Sequence, residues 1–444
     1  MNSELLKELS NADSVASVED EVRSILYREL AKYSDEVFSD RLGSIIFHKK
    51  GTSPNPLKIM FCAHIDEVGF MVRHISDIGF VYVVALGSVL NKSKEMQMVR
   101  ITTQDGKKVE GLLNVTKDSN GNVKEMYVDI GVDSADEVKA LGIDVGDMVC
   151  FASEARQIQD KVIAGKAMDD RTGCYVIIEA MKRIHGNVEN DIYFVGTSSE
   201  EVGVRGGKTA THLIDPDIVF ALDVANNPEL VKNYTNHRLI GKGPMIVHYD
   251  KTLSPNKKLI KYVKELASKH GIPYQSDMFG GGGTDAGNAH LEKGGRLALV
   301  LGIPLRYCHG SYSFVHSDDL ESLTQLVNCL IDHLTYQDYQ NFINFIVGLI
   351  SSAGQSKSLA FEALKKVKTG EYDEARKILE QAKEADLQAH TVQTKLIQAE
   401  MSGSGNKPEV GLLMVHAQDH YMTSQLARDL IEELINVFEA KEGK

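Results

Sequence analysis

The sequence has no cysteines at CxxC spacing, no excess of basic residues and no apolar run of bilayer-spanning length. Nor does it open with a cationic segment followed by an apolar one, since it begins Met1-Asn2-Ser3-Glu4. Each absence excludes something. The five cysteines, Cys62, Cys150, Cys174, Cys308 and Cys329, are odd in number and far apart. They read as reduced, mostly buried thiols rather than a disulfide framework. The formal net charge is -13, with acidic residues spread along the chain. A nucleic-acid partner would require a basic stripe to displace counterions from phosphates, so none is expected. The longest apolar stretch, near Phe80 to Leu90, is far too short to cross a bilayer. With no secretory signal visible, a cytoplasmic protein is expected.

What is present is ordinary globular composition over more length than one core usually supports: 444 residues, 43% hydrophobic and 25% charged. From Leu57 to Thr335, short apolar runs alternate with helical-period segments. Leu57–Ala63, Ile192–Thr197, Ile218–Leu222 and Leu297–Leu301 read as buried strands. Asp170–His185, Pro255–His270 and Asp318–Leu334 read as helices, which predicts an α/β sheet covered on both faces. Between Phe70 and Gln159 the pattern turns to strands and hairpins. Met98–Thr103 and Val109–Val115 flank Gln104-Asp105-Gly106, and Asn120-Gly121 marks a second hairpin, predicting an all-β insert. After Tyr336, Phe342–Lys368, Tyr372–Met401 and Val410–Lys441 read as three long helices, broken at Thr369-Gly370 and Ser402–Pro408. Three such helices bury limited surface, so partners or self-association are expected.

Carboxylates and histidines follow the predicted strands. His64 and Asp66 follow the first, Glu200 and Glu201 the second; Asp223 ends the third, and His309 lies in the loop after the fourth. Asp169-Asp170-Arg171 stands at the start of a predicted helix. Functional groups in open α/β sheets gather outside the carboxyl ends of the strands. Two divalent ions need a bridging carboxylate and terminal His or carboxylate ligands, and a further carboxylate can accept a proton from water. Each piece alone has a bland reading: a hydrogen-bonded histidine, a helix cap at Asp169-Asp170, a solvated Glu200-Glu201 turn, a flexible Gly280–Gly283 loop. Their joint position at strand ends favours metal.

The segments AHIDEVGFMV, GKAMDDRTGC, TSSEEVGV, ALDV, GGGGTDAGNAH and GIPLRYCH, in this order, resemble the tetrahedral, glutamyl-aminopeptidase-type metallopeptidases. The resemblance implies an α/β domain over 1–69 and 160–336 with a parallel-rich mixed sheet, and an inserted β-rich dimerisation domain over 70–159. It implies His64 and Asp223 as metal ligands, Asp66 orienting His64, Asp169 bridging two ions with Asp170 behind it, Glu200 as general base, and Glu201 and His309 completing the site. Two zinc or cobalt ions, short peptide substrates and a dodecamer follow from the same likeness. The flanks Asn226-Asn227 and Gly310-Ser311-Tyr312 depart from the family, which bears on the substrate pocket.

Near the C-terminus, His416 and His420 stand four apart with Asp419 beside them, placing both imidazoles on one helix face. Spacing alone leaves a metal site, phosphoryl transfer through one imidazole, or an inert polar face open. Together with AHTVQT at Ala389–Thr394 and GEYDEA at Gly370–Ala375, the segment resembles the lactose/cellobiose-type enzyme IIA of the phosphoenolpyruvate-dependent phosphotransferase system. That likeness covers an all-α domain over 342–444. It implies His416 as the phosphorylated residue, His420 as its support, and Asp419 as ligand of a further divalent ion on the three-fold axis of a trimer. It also implies HPr and a membrane-bound sugar-specific component as partners. A tetrahedral particle has three-fold axes, so the two assemblies are compatible in symmetry. Two rival readings stand beside an aminopeptidase fused to a phosphocarrier. One is a regulatory or carrier protein with an idle peptidase scaffold, the other a glycoside hydrolase using its carboxylates on sugars.

Overall fold

Phe61, Phe194 and Phe220 occupy one row across three adjacent strands, with ring centroids 5.6 and 5.2 Å apart. The strands are Lys58–His64, Asp191–Thr197 and Ile218–Asn227, and Leu297–Arg306 joins them as a fourth parallel neighbour. Helices cover both faces, so these strands read as unbroken apolar runs rather than alternating ones. This computed structural model describes residues 1–227, 238–343, 345–401 and 412–442.

Antiparallel strands extend the sheet. Glu36–Ser39 and Ile45–Lys49 lie at one edge, and Ser313–His316, Val162–Gly165 and Arg156–Gln159 at the other. Met245–Val247 and Gln275–Asp277 branch from Leu297–Arg306, making a mixed sheet of 11 strands among the described residues. Two central strands run further than their apolar stretches predict. Ile218–Asn227 and Leu297–Arg306 stay paired from Ile218↔Leu297 to Asn227↔Arg306. Backbone pairing continues past the polar break at Asp223, so this residue lies within a strand instead of ending one. Helices Met168–Lys182, Lys257–Lys269 and Ser317–His333 match the predicted three within a few residues. The second begins at Asn256, whose side chain accepts from Lys258 N and Leu259 N, two residues beyond the expected Ser254-Pro255 start.

The insert closes into a six-stranded barrel in the order Gly69–Ile75, Val81–Leu86, Val123–Asp129, Lys108–Lys117, Gln97–Thr102, Met148–Phe151. Phe70, Val83, Val99, Ile101, Leu113 and Val128 fill its core. Closure leaves no free edge. The insert is not wholly β: Ala135–Ala140 is a short helix capped by Ser134, whose hydroxyl accepts from Glu137 N.

The chain divides into two units, Met1–Thr335 and Tyr336–Lys444. The second holds a short helix, Tyr336–Phe342, and the long helices Phe345–Val367, Tyr372–Met401 and Leu412–Glu442. Ala360, Ala363 and Ala375 are fully buried with Leu379, Ile431 and Ile435, and such small side chains let helices approach closely. Gly370 takes φ +75° in the turn between the first two long helices, a conformation glycine adopts without strain. The predicted break over 402–408 and the start at Val410 lie outside the described residues.

Candidate metal centre

The carboxyl ends of the parallel strands deliver one cluster. His64 ends its strand, Glu200 and Glu201 follow Thr197, Asp223 sits inside the third strand, and His309 follows Arg306. Asp169 stands between them. One of its carboxylate oxygens lies 3.0 Å from His64 Nε2 and the other 3.0 Å from His309 Nε2. His64, Asp169 and Asp223 bring three ligand atoms within 4.8 Å of one another. On the other side, His309 Nε2 is 3.5 Å from Glu201 Oε1. All line a cleft of about 520 Å³ that also includes Arg238, Phe279 and Gly280–Gly283.

The supporting contacts aim these groups. His64 Nδ1–H donates to the Asp66 carbonyl at 3.0 Å, and His309 Nδ1–H donates to the Ser88 carbonyl at 3.1 Å. A carbonyl only accepts, so Nδ1 of each ring carries a proton and Nε2 is the nitrogen presented toward Asp169 for a metal to take, the arrangement metal-binding histidines use. The buried Asp66 carboxylate accepts from Glu200 N at 2.9 Å and Glu201 N at 3.0 Å, fixing the two glutamates from below. Asp170 accepts from His64 N at 3.3 Å and from Gly173 N at 2.9 Å. Asp170 thus ties the end of the His64 strand to the first turns of the Met168–Lys182 helix. A Cβ at position 173 would fall 2.4 Å from Asp170 Oδ2, so this close approach requires glycine.

The electrostatics call for a cation. Burial disfavours a charged His64, but its hydrogen bond to Asp169, helped by Asp66 and Glu200, raises its pKa well above the ordinary value. Burial opposes and Asp169 outweighs it at His309, pushed up to about 9. Against burial, the same two imidazoles hold Asp169 well below the usual carboxylate range. At the remaining acids burial outweighs the pull of the imidazoles. Burial and the charges of Asp223, Asp285 and Glu201 push Glu200 well up. Burial and Asp169 raise Glu201 to about 8 and Asp223 to about 7. Among the described lining residues only Arg238 carries a fixed positive charge, and its Nε is 3.0 Å from Asp277. Glu201 Oε1 is buried without a hydrogen-bond partner. Five oxygen- and nitrogen-bearing side chains arranged around a bridging carboxylate, with an orphaned oxygen among them, fit two divalent ions.

The second cluster is of another kind. The His416 and His420 rings lie 4.5 Å apart in an edge-on pair; His416 and Asp419 are exposed, and His420 Nδ1 has no hydrogen-bond partner. Side chains of the Ala389–Thr394 segment lie outside the described ones.

Residues 43–326 match the model of the M42 glutamyl aminopeptidase family. The chain belongs to that family. A lysyl aminopeptidase of Pyrococcus furiosus is 32% identical over 349 residues, 76% of this chain and 98% of the relative. The TET aminopeptidase structure from a marine-sediment Thaumarchaeota archaeon has TM-score 0.73 and 34% identity, covering 77% of this chain and 98% of its own. The dodecameric TET1 of Pyrococcus horikoshii has TM-score 0.68 at 27% identity, covering 75% and 100%. The M42 chain is a metal-dependent aminopeptidase. Its residues 344–439 match the lactose/cellobiose-specific IIA subunit of the phosphotransferase system. There it is 46% identical over 105 residues to the N,N'-diacetylchitobiose-specific EIIA component of Escherichia coli, 24% of this chain and 89% of that one.

Sequence reading misses two residues of this M42 site. Asp285 receives the Thr197 hydroxyl and, at 3.0 Å, Gly207 N, tying the glycine-rich loop to the sheet. Cys308 Sγ lies 2.8 Å from Asp169 Oδ2. The available signal was adjacency: Asp285 closes Gly280–Thr284, and Cys308 immediately precedes His309.

Proposed function

We propose that the chain removes N-terminal residues from short peptides at a two-metal site, and that its helical unit carries phosphoryl groups on His416. The observation that carries the first half is Asp169, with one oxygen toward His64 and the other toward His309. In this reading His64 and Asp223 would hold one ion, His309 and Glu201 the other, and Asp169 would serve both. Zinc and cobalt both suit imidazole and carboxylate ligands. When bound, the ions polarise the scissile carbonyl and acidify a shared water. Asp66 keeps His64 and both glutamates in place. Glu200, whose pKa is raised by burial, accepts the water's proton and passes it to the leaving amine. A glycosidase needs only its carboxylate pair and gives no role to two imidazoles clasping Asp169. The test is amino-acid release from a peptide panel with zinc or cobalt, with EDTA, and with Glu200→Gln. Chelation and the substitution should each abolish release; release that survives EDTA rules out the metal mechanism.

For the helical unit, support comes from the IIA match over residues 344–439 and from the exposure of His416 beside His420. His420 supports the ring, Asp419 contributes to a further divalent ion at the centre of a trimer, and HPr and a membrane sugar-specific component act as donor and acceptor. The barrel mediates dimer contacts in a dodecamer, as the relation to a dodecameric peptidase suggests. Incubation with phosphoenolpyruvate, enzyme I and HPr should label the protein at His416. No label in the complete mixture would leave an aminopeptidase with an inert helical domain.

A further inference from the structure

We infer that Cys308 is a thiolate ligand of the ion held on the His309 side, so that the two metal positions differ in chemistry. This rests on the two-metal reading and adds a donor to it. Cys308 Sγ is 2.8 Å from Asp169 Oδ2, the same oxygen that faces His309 Nε2 at 3.0 Å. Ligand atoms of Asp169, Cys308 and His309 all lie within 4.8 Å of one another. Metal–ligand bonds of about 2.0–2.3 Å let one ion reach donors spaced in that way. A second observation points to the same place: the buried Glu201 Oε1, 3.5 Å from His309 Nε2, has no hydrogen-bond partner. A protonated thiol would only add a second donor to an Asp169 oxygen already facing an imidazole, and would leave Glu201 unsatisfied. A cation among Asp169, Cys308 and His309 would take one carboxylate oxygen, one imidazole nitrogen and one sulfur, with the unpartnered Glu201 Oε1 beside His309.

Three of the other thiols are committed elsewhere, and Cys329 lies on the Ser317–His333 helix. Cys174 donates to the His64 carbonyl at 3.3 Å, and Cys62 faces the Phe220 carbonyl at 3.8 Å. Cys150 groups with Asp13 and Glu67, but Lys166 Nζ already sits 3.0 and 2.6 Å from those carboxylates. Cys308 is therefore the cysteine that lines the cleft. On binding, the thiol proton goes to solvent, the metal–sulfur bond replaces a metal–water bond, and no electrons are transferred. The His64–Asp223 position keeps only nitrogen and oxygen donors. The His309 position gains a soft ligand and favours zinc or cadmium over manganese.

The experiment loads the full-length protein with cobalt, counts bound ions, and records the near-ultraviolet spectrum. Two ions and a sulfur-to-cobalt charge-transfer band, lost in Cys308→Ser, are expected. The affinity for one ion should fall by at least the roughly 10–100-fold that outer-shell substitutions cost, with the other ion unchanged. Zinc X-ray absorption of the unmodified protein needs no variant and should contain a sulfur shell near about 2.3 Å. Two ions with a purely nitrogen and oxygen shell, or a band that persists in Cys308→Ser, overturn the assignment of Cys308 while leaving the two-metal site intact. Failure to bind two ions overturns both.

Discussion

The two units present their histidines in opposite ways. In Met1–Thr335, His64 is 2% exposed and shares Asp169 with His309 at the floor of a cleft. In Tyr336–Lys444, His416 stands exposed on a helix, with His420 as its ring neighbour. The difference follows from what each proposed reaction requires. Metal-assisted hydrolysis gains from fixed charges in a dry site, because electrostatic interactions strengthen as water is excluded. Phosphoryl exchange between proteins requires an imidazole that another active site can reach. Burial is thus a guide to which histidine meets a small substrate and which meets a macromolecule.

Crossed substitutions test that contrast most strongly. His416→Ala should eliminate phosphate incorporation and leave peptide release unchanged; incorporation that persists moves the acceptor to another residue. Glu200→Gln should lower kcat for peptide release about 10²–10⁴-fold, the usual worth of a general base, with bound metal and His416 labelling unaltered. If Glu200→Gln also loses metal, Glu200 is a ligand and the roles of the adjacent glutamates exchange.

Next comes the pH dependence of the metal-free protein. Folded pKa values of about 8 for Glu201 and about 7 for Asp223 lie above their ordinary range, so between roughly pH 4 and 8 the folded unit binds more protons than the unfolded chain. Stability of Met1–Thr335 therefore falls as pH rises through that window. His309 acts in the same direction: its contribution is full below its unfolded value and is lost as pH rises through about 9. Asp169 has the opposite sign, but it loses its contribution only at pH below the usual carboxylate range. Divalent metal, which takes deprotonated ligands, should reverse the trend. Thermal melts with EDTA and with zinc at pH 6 and pH 8 check this. A metal-free melting temperature that climbs with pH breaks the electrostatic account of the cleft.

How much of this was legible in the sequence depended on what kind of signal each feature left. Periodicity located the parallel strands and long helices, because a sheet covered on both faces leaves continuous apolar runs. It shortened Ile218–Asn227, since pairing to Leu297–Arg306 carries Asp223 through without an apolar side chain. The members of the metal cluster were legible as residue types after strands, while the two-sided position of Asp169 was not. No local pattern encodes which imidazole meets which oxygen across 105 and 140 residues of chain. Cys308 was invisible for the same reason: a single thiol reads as a small buried apolar group until its neighbours are known.

Ion pairs in the two units should differ by a smaller margin. Lys166 is fully buried between Asp13 and Glu67, which keep Arg100, Lys108 and Arg171 as further partners, so Lys166→Ala should cost about 3 kcal/mol, the lower end for a broken buried pair. Asp386 is buried in the helical unit beside Arg428, which keeps partial access to water with a side chain 16% exposed. Asp386→Ala should therefore cost less, about 2 kcal/mol, because Arg428 keeps Asp429 at 3.2 Å as well as its access to solvent. Denaturant titrations that resolve the two transitions provide the comparison; an equal or larger loss for Asp386→Ala would mean that Arg428 depends on that carboxylate despite its access to solvent.

The smallest effect concerns the face of the Leu412–Glu442 helix. Met422, Leu426 and Leu430 are 57%, 59% and 56% exposed and recur every four residues, so they share one face. Ile431 and Ile435, at neighbouring positions, are buried in the unit's own core. The helix thus has two apolar stripes, of which the described residues cover only one. A monomeric unit gains almost nothing from the uncovered stripe, so Leu426→Gln should change its stability by no more than about 0.5 kcal/mol. A self-associating unit would lose a buried leucine at every contact, and the substitution should shift the full-length protein toward smaller assemblies in sedimentation at equal concentration. Should Leu426→Gln instead destabilise the helical unit by more than about 1 kcal/mol at every dilution, the stripe belongs to the unit's own packing, and the exposed side of the comparison is confined to His416 and its neighbours.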